Sequence, residues 1–224
     1  MTRVMAMRAK GRGVRKLDMV GVLLAIAGSA AGCGPEQERA PVDRGDTLSV
    51  SVSEERIQSQ EGDLLISLDQ IPRSIQVDED SDFQAADRFL AADASPSGEW
   101  LAVITGGVAH SAGWLVDIEG EQIFPAGFQY GGSLQPGPWS PDGRWFVFIH
   151  EGPAGDRVLW VTDSDALGST VRESSTPVRT PDHDETDPSQ RIYEIEGWED
   201  GTLQIRLKDE PWSFDPRTGD MERR

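Results

Sequence analysis

One nine-residue pattern occurs twice in this chain, 45 positions apart, and it limits the possible folds more than any other feature. The copies are Ser95-Pro-Ser-Gly-Glu-Trp-Leu-Ala-Val103 and Ser140-Pro-Asp-Gly-Arg-Trp-Phe-Val-Phe148. A looser third copy runs from Trp198 to Ile205. A second signature follows each, an apolar stretch ending in aspartate: Trp114-Leu-Val-Asp117, Trp160-Val-Thr-Asp163 and Trp212-Ser-Phe-Asp215, with an earlier relative at Ile66-Ser-Leu-Asp69. Self-similarity at a period of roughly 20–50 residues marks stacked supersecondary units.

The residue types say what each unit is. Proline presets φ and glycine supplies positive φ in the Ser-Pro-x-Gly turn, which launches a strand at Trp100 or Trp145. The closing aspartate can cap the next turn with its own side chain. Elsewhere the apolar runs are short (residues 64–68, 100–105, 114–118, 145–149, 158–162, 203–207 and 212–214), and Gly, Pro, Asp and Ser separate them. Leu48, Val50 and Val52 alternate with serines, the period of a half-buried strand. This predicts an all-β protein of small antiparallel sheets, each needing a neighbour to cover its apolar face. A helical spacing is found only at residues 83–94, where Phe83, Ala86, Phe89 and Leu90 predict one or two turns of helix.

The segment Trp139-Ser-Pro-Asp-Gly-Arg-Trp-Phe-Val-Phe148, followed by Trp160-Val-Thr-Asp163, resembles the WD-like repeat of TolB-type β-propellers. Similar blades occur in the propeller domains of prolyl oligopeptidases and tricorn-type proteases. The resemblance covers roughly residues 90–220 and implies a fold, not an activity. At about 45 residues per unit, residues 47–224 have room for about four blades. Two arrangements remain open: a four-blade ring closed by the strand at residues 48–52, or an open arc of three blades with edges to protect. The long polar stretch 169–190 is expected as an excursion from the rim, functional or disordered.

The first part of the chain reads as an address. Residues 1–32 hold six basic groups and one acidic group, and Met19–Gly32 is an apolar run of 14 residues. A transmembrane helix needs about 20, so the run suits a signal-peptide core. Its small last residues, Ala30-Ala31-Gly32, end at Cys33, the single cysteine. Together they resemble the lipobox of bacterial lipoproteins, with Ala30 where leucine is usual. The resemblance implies cleavage before Cys33 and lipidation of its thiol, giving a membrane anchor in the cell envelope. Gly34 in place of aspartate favours the outer membrane over the inner. Residues 33–46 are then a lipidated, flexible tether, and residues 47–224 the repeat domain.

The formal net charge of −18 argues against nucleic acid, whose phosphates need a basic face. One cysteine excludes an intrachain disulfide and a multi-cysteine metal centre. No nucleophile elbow, phosphate loop or dinucleotide fingerprint occurs, and His110, His150 and His183 lack ligand spacing. No cofactor is implied. Trp100, Trp114, Trp145, Trp160 and Trp212 fall at repeat positions and are expected in the core. Trp139 and Trp198 precede turns and are the candidates for partly exposed, ligand-stacking rings. Asp78, Asp80 and Asp82 alternate as in calcium loops, although Phe83 and Phe89 occupy places where an EF-hand needs Gly and Glu. A second acidic stretch spans residues 182–187.

The expected function is a non-catalytic envelope lipoprotein whose propeller-like body binds or scaffolds another envelope protein. The alternatives are a calcium- or small-ligand-binding sensor and a hydrolase using acidic residues.

Overall fold

Both Ser-Pro-x-Gly turns close in the same way. The hydroxyl of Ser95 accepts the Trp100 N–H at 3.1 Å, and that of Ser140 accepts the Trp145 N–H at 2.8 Å. Gly98 and Gly143 each donate to the serine carbonyl at 2.9 Å. Both glycines have φ +76°, a conformation that strains any side chain. Both serines are buried with these partners satisfied. The computed structural model describes residues 48–119 and 122–224. The signal segment 1–32, Cys33 and the tether 33–46 lie outside the described residues.

A three-stranded sheet leads, formed by β1 (Val50–Val52), β2 (Arg56–Ser59) and β3 (Leu64–Ser67), followed by a hairpin of β4 (Ser74–Asp78) and β5 (Ser81–Gln84). Three four-stranded antiparallel meanders come next. The first is β6 (Arg88–Ala94), β7 (Trp100–Gly106), β8 (His110–Asp117) and β9 (Ile123–Tyr130). The second is β10 (Ser133–Trp139), β11 (Trp145–Glu151), β12 (Arg157–Asp163) and β13 (Ser175–Pro177), with α1 (Val171–Ser174) before its last strand. The third is β14 (Tyr193–Glu199), β15 (Thr202–Leu207), β16 (Glu210–Asp215) and β17 (Asp220–Arg223).

The protein is therefore an all-β, propeller-like array: three full blades after a partial one. Trp100 and Trp145 open the second strands of adjacent blades and pair with Asp117 and Asp163 in the third. Those aspartates, and Asp215 in the last blade, cap the following turn identically. Their Oδ1 atoms accept the N–H two residues on, from Glu119, Asp165 and Arg217, at 3.1, 3.0 and 2.9 Å.

Strand alternation distributes the core among the blades. In β7, Leu101 and Val103 face the leading strands, whereas Ala102 and Ile104 face the second meander. In β11, Phe146 and Phe148 face back, and Trp145 and Val147 face forward. In β15, Leu203, Ile205 and Leu207 face back, but Gln204 and Arg206 alternate with them and belong to no apolar cluster. On that far face Arg206 pairs with Glu196, which also binds Arg224 at 2.5 Å. Each buried Leu, Val or Phe contributes about 1.5–3 kcal/mol, so a sheet between two neighbours gains on both faces. Among the described residues, no apolar cluster joins the last blade to the leading sheet.

Of the two arrangements left open, the described residues show no ring closed by residues 48–52: β1 pairs with β2, its neighbour in sequence. Two expectations are corrected. Residues 83–94 are two strands, not a helix. A bulge between Phe89 and Ala91 breaks the period of two and leaves Phe89 and Leu90 consecutive, which mimics helical spacing. The excursion at 169–190 is largely folded into the body. Its Ser175–Pro177 portion is the fourth strand of the second meander. Further on, the buried Tyr193 hydroxyl lies 2.9 Å from His183 Nδ1 and accepts the Thr180 N–H at 3.3 Å.

Candidate functional site

Short loops place the β7–β8, β9–β10, β11–β12 and β15–β16 connections at one end of the array, together with residues 85–87. Large apolar side chains are left in solvent at that end. Val108, in the β7–β8 turn, is 97% exposed, Tyr130 is 63% exposed and Leu90 is 44% exposed. Ile192, bridged to Arg157 at the same end, is exposed as well. The opposite end carries the Ser-Pro-x-Gly turns and the capping aspartates.

Strand pairing organises the surroundings of Tyr130. Cross-strand partners His110 and Tyr130 stack with ring centroids 5.9 Å apart. Phe128, two residues before Tyr130, stacks on Phe83 of the hairpin at 4.6 Å. His110 meets Phe83 edge-on at 5.9 Å, and its Nε2 contacts the Gln84 carbonyl. Leu90 lies over the end of β7, where a Cβ on Gly106 would come within 3.0 Å of its Cδ1. A rigid aromatic base thus carries the exposed phenol of Tyr130, while Leu90 lies over Gly106 on the other face of the same sheet. This suits a protein surface, since a fixed ring with few rotatable bonds loses little entropy on docking. The sequence analysis missed this group because its members come from three strands. The signal available was the pair of diglycines, Gly106-Gly107 and Gly131-Gly132, flanking isolated apolar residues.

The residues singled out from the sequence lie elsewhere. Trp139 is buried, at 8% exposure, against the expectation of an exposed ring. Its indole N–H donates to the Asp93 carbonyl of the preceding blade at 3.4 Å. Half-buried Trp198 makes the equivalent bond to the Pro138 carbonyl at 3.3 Å. Both rings link successive blades. Trp114 and Trp145 are buried as expected, while Trp100, Trp160 and Trp212 are half-buried.

Asp78, Asp80 and Asp82 belong to the β4–β5 hairpin. Asp78 Oδ1 accepts the Asp80 N–H at 3.1 Å, its other oxygen is 3.6 Å from Arg172, and Asp82 pairs across to Gln76. Hydrogen bonds, first from the Ser81 side chain, hold the Asp78 carboxyl below its ordinary range. Among the described residues, no three His, Cys, Asp or Glu side chains are grouped to hold a metal ion. Glu99, Asp117 and Glu119 do line one shallow depression of about 470 Å³ beside Trp100. Asp117 there is a turn cap repeated in every full blade, so the grouping follows from the fold.

No family model matches the chain, and no curated protein matches it. Among solved structures it is similar to TolB from Acinetobacter baumannii, at 11% identity and a TM-score of 0.37, over 82% of this chain and 53% of that one. It is also similar to hydrazine synthase from Kuenenia stuttgartiensis, at 19% identity and a TM-score of 0.36, over 85% and 52% of the two chains. A putative 6-phosphogluconolactonase from Bacteroides fragilis matches at 14% identity and a TM-score of 0.36, over 80% and 54%. The chain spans about half the length of these three structures. Likeness at this level carries no activity from one protein to another.

Proposed function

We propose that this chain is a bacterial envelope lipoprotein, anchored through Cys33 with the outer membrane favoured, whose propeller-like body binds another envelope protein and catalyses nothing. The observation that carries the binding role is the exposed Tyr130 on its stacked aromatic base, at the end of the array where Leu90 and Val108 are also exposed. Isolated surface apolar residues need no explanation, but an exposed aromatic ring held rigid by a stack beneath it is the pattern of a docking anchor. The anchor rests on the lipobox-like residues ending at Cys33. Two acyl chains or more give stable attachment where one is marginal.

Photo-crosslinking from position 108 of the full chain in intact envelopes tests the binding role. One envelope protein captured from wild type and lost in Tyr130→Ala supports it; equal capture by both, or none, rejects it. The anchor is tested by metabolic labelling with an alkyne fatty acid. Label that disappears in Cys33→Ala, with release of the chain from membranes, supports lipidation; label unchanged in that variant rejects it.

A further inference from the structure

The turn that opens the second strand of each full blade sets one residue beside the capping aspartate. Arg144 holds that position in the second meander and Glu99 in the first. Their backbones match: the Glu99 carbonyl accepts the Ile118 N–H and the Arg144 carbonyl accepts the Ser164 N–H, both at 3.0 Å. The Arg144 guanidinium lies over the Trp145 ring, 4.8 Å from its centroid, and donates to both Asp163 oxygens at 2.9 and 2.7 Å. Asp165 is 3.3 Å from it. Asp163 caps its own turn at the same time. In the third meander Thr202 takes the Arg144 position and Arg217 takes the Asp165 position, 3.9 Å from Asp215. Of the three meanders, only the first has acids at both positions, Glu99 and Glu119. These two exposed carboxylates, Asp117 and the half-buried Trp100 line the depression of about 470 Å³, and none of its lining residues is basic. Among the described residues neither Glu99 nor Glu119 has an ion pair.

We infer that the depression at Trp100 is a binding site for an arginine side chain of a partner protein. The incoming guanidinium stacks on the Trp100 indole and bonds Glu99 and Glu119, much as the chain's own Arg144 stacks on Trp145 and bonds Asp163 and Asp165 one blade further on. That neighbouring blade separates the site from a mere cluster of acids: the same register, with the same tryptophan and the same capping aspartate, grips a guanidinium there. Arginine fits because its planar fork matches carboxylates and an aromatic face together, whereas a lysine ammonium is a compact, strongly hydrated point charge. Net charge favours a basic partner as well, since residues 48–224 carry 34 acidic groups against 13 basic ones. The inference builds on the protein-binding reading and adds a contact at the end of the array opposite Tyr130.

The test titrates the full chain in detergent micelles with the peptide Ser-Gly-Arg-Gly-Ser and follows the Trp100 indole N–H by NMR, its signal assigned through Trp100→Phe. A saturable shift is expected, weaker with lysine in place of arginine and lost with citrulline, which keeps the shape without the charge. Glu99→Gln weakens binding by about two- to fivefold. Glu99→Arg supplies the guanidinium from within the chain and abolishes binding. Arg144→Glu makes the Trp145 indole respond to the peptide as well. Glu99 and Arg144 are both exposed, so these variants leave the blades folded. No response at Trp100, equal affinity for the citrulline peptide, or affinity unmoved in Glu99→Arg overturns the inference. Displacement of the peptide by an equal concentration of calcium would assign the depression to a metal ion and reject it. Capture from position 108 reads the rim and the Trp100 signal reads this depression, so failure of either is distinguished from failure of the other.

Discussion

Trp139 donates its indole N–H to the main-chain carbonyl of Asp93, 3.4 Å away in the preceding blade. Trp198 repeats the bond to Pro138 one blade further on, at 3.3 Å. The two rings occupy equivalent places, opposite Phe146 and Leu203 in their ladders. Removing the Trp139 ring opens a cavity between blades. Trp139→Ala is expected to cost about 3–5 kcal/mol in chemical denaturation, and Trp139→Phe, which loses the N–H and the outer part of the ring but keeps most of the packing, about 1–2 kcal/mol. Equal losses in the two variants would show that the hydrogen bond, not the packing, is what matters.

Gly113 and Phe148 share one space across the same interface that Trp139 bridges. A Cβ on Gly113 would lie 2.6 Å from Phe148 Cε1, and the ring is fully buried. Gly113→Ala is therefore expected to destabilise by about 1–3 kcal/mol through overpacking. Gly113→Ala combined with Phe148→Leu is expected to recover part of that loss. A double variant no better than the sum of the two singles would argue against direct coupling.

His150 is almost wholly buried, stacks on Trp160 at 5.5 Å, and titrates at about 3 in place of 6.5 because burial penalises its charged form. Between those values the unfolded chain binds a proton that the folded chain does not. Stability from this group is thus intact above pH 6.5 and falls as the pH drops below it, by about 2 kcal/mol at pH 5. His150→Phe is expected to flatten the loss of melting temperature between pH 6.5 and 4 relative to wild type. Parallel curves for the two proteins would refute the assignment.

Tyr193 holds the stretch after β13 in place through its hydroxyl, which meets Thr180 and His183. Tyr193→Phe is expected to cost about 1–3 kcal/mol, since the Thr180 N–H and the His183 ring lose a buried partner. Limited proteolysis is expected to cut first within residues 179–190. Cleavage there at the wild-type rate would mean that the loop is held by other contacts.

The sequence by itself determined the repeat, the all-β class, the turn chemistry of Ser140 and Gly143, and the capping aspartates. These are local: proline, glycine and aspartate act within a few residues, and a period of two is visible along one strand. Where the local pattern was broken by a bulge, at Phe89 and Leu90, it misled toward a helix. Only the tertiary structure decided that Trp139 and Trp198 join blades, because their partners lie 46 and 60 residues away. The same holds for the stack of Phe83, Phe128, His110 and Tyr130, drawn from three strands, and for the missing fourth strand beside β3. Which residues meet across a sheet or between sheets depends on register and stacking, and neither is written at any single position in the chain.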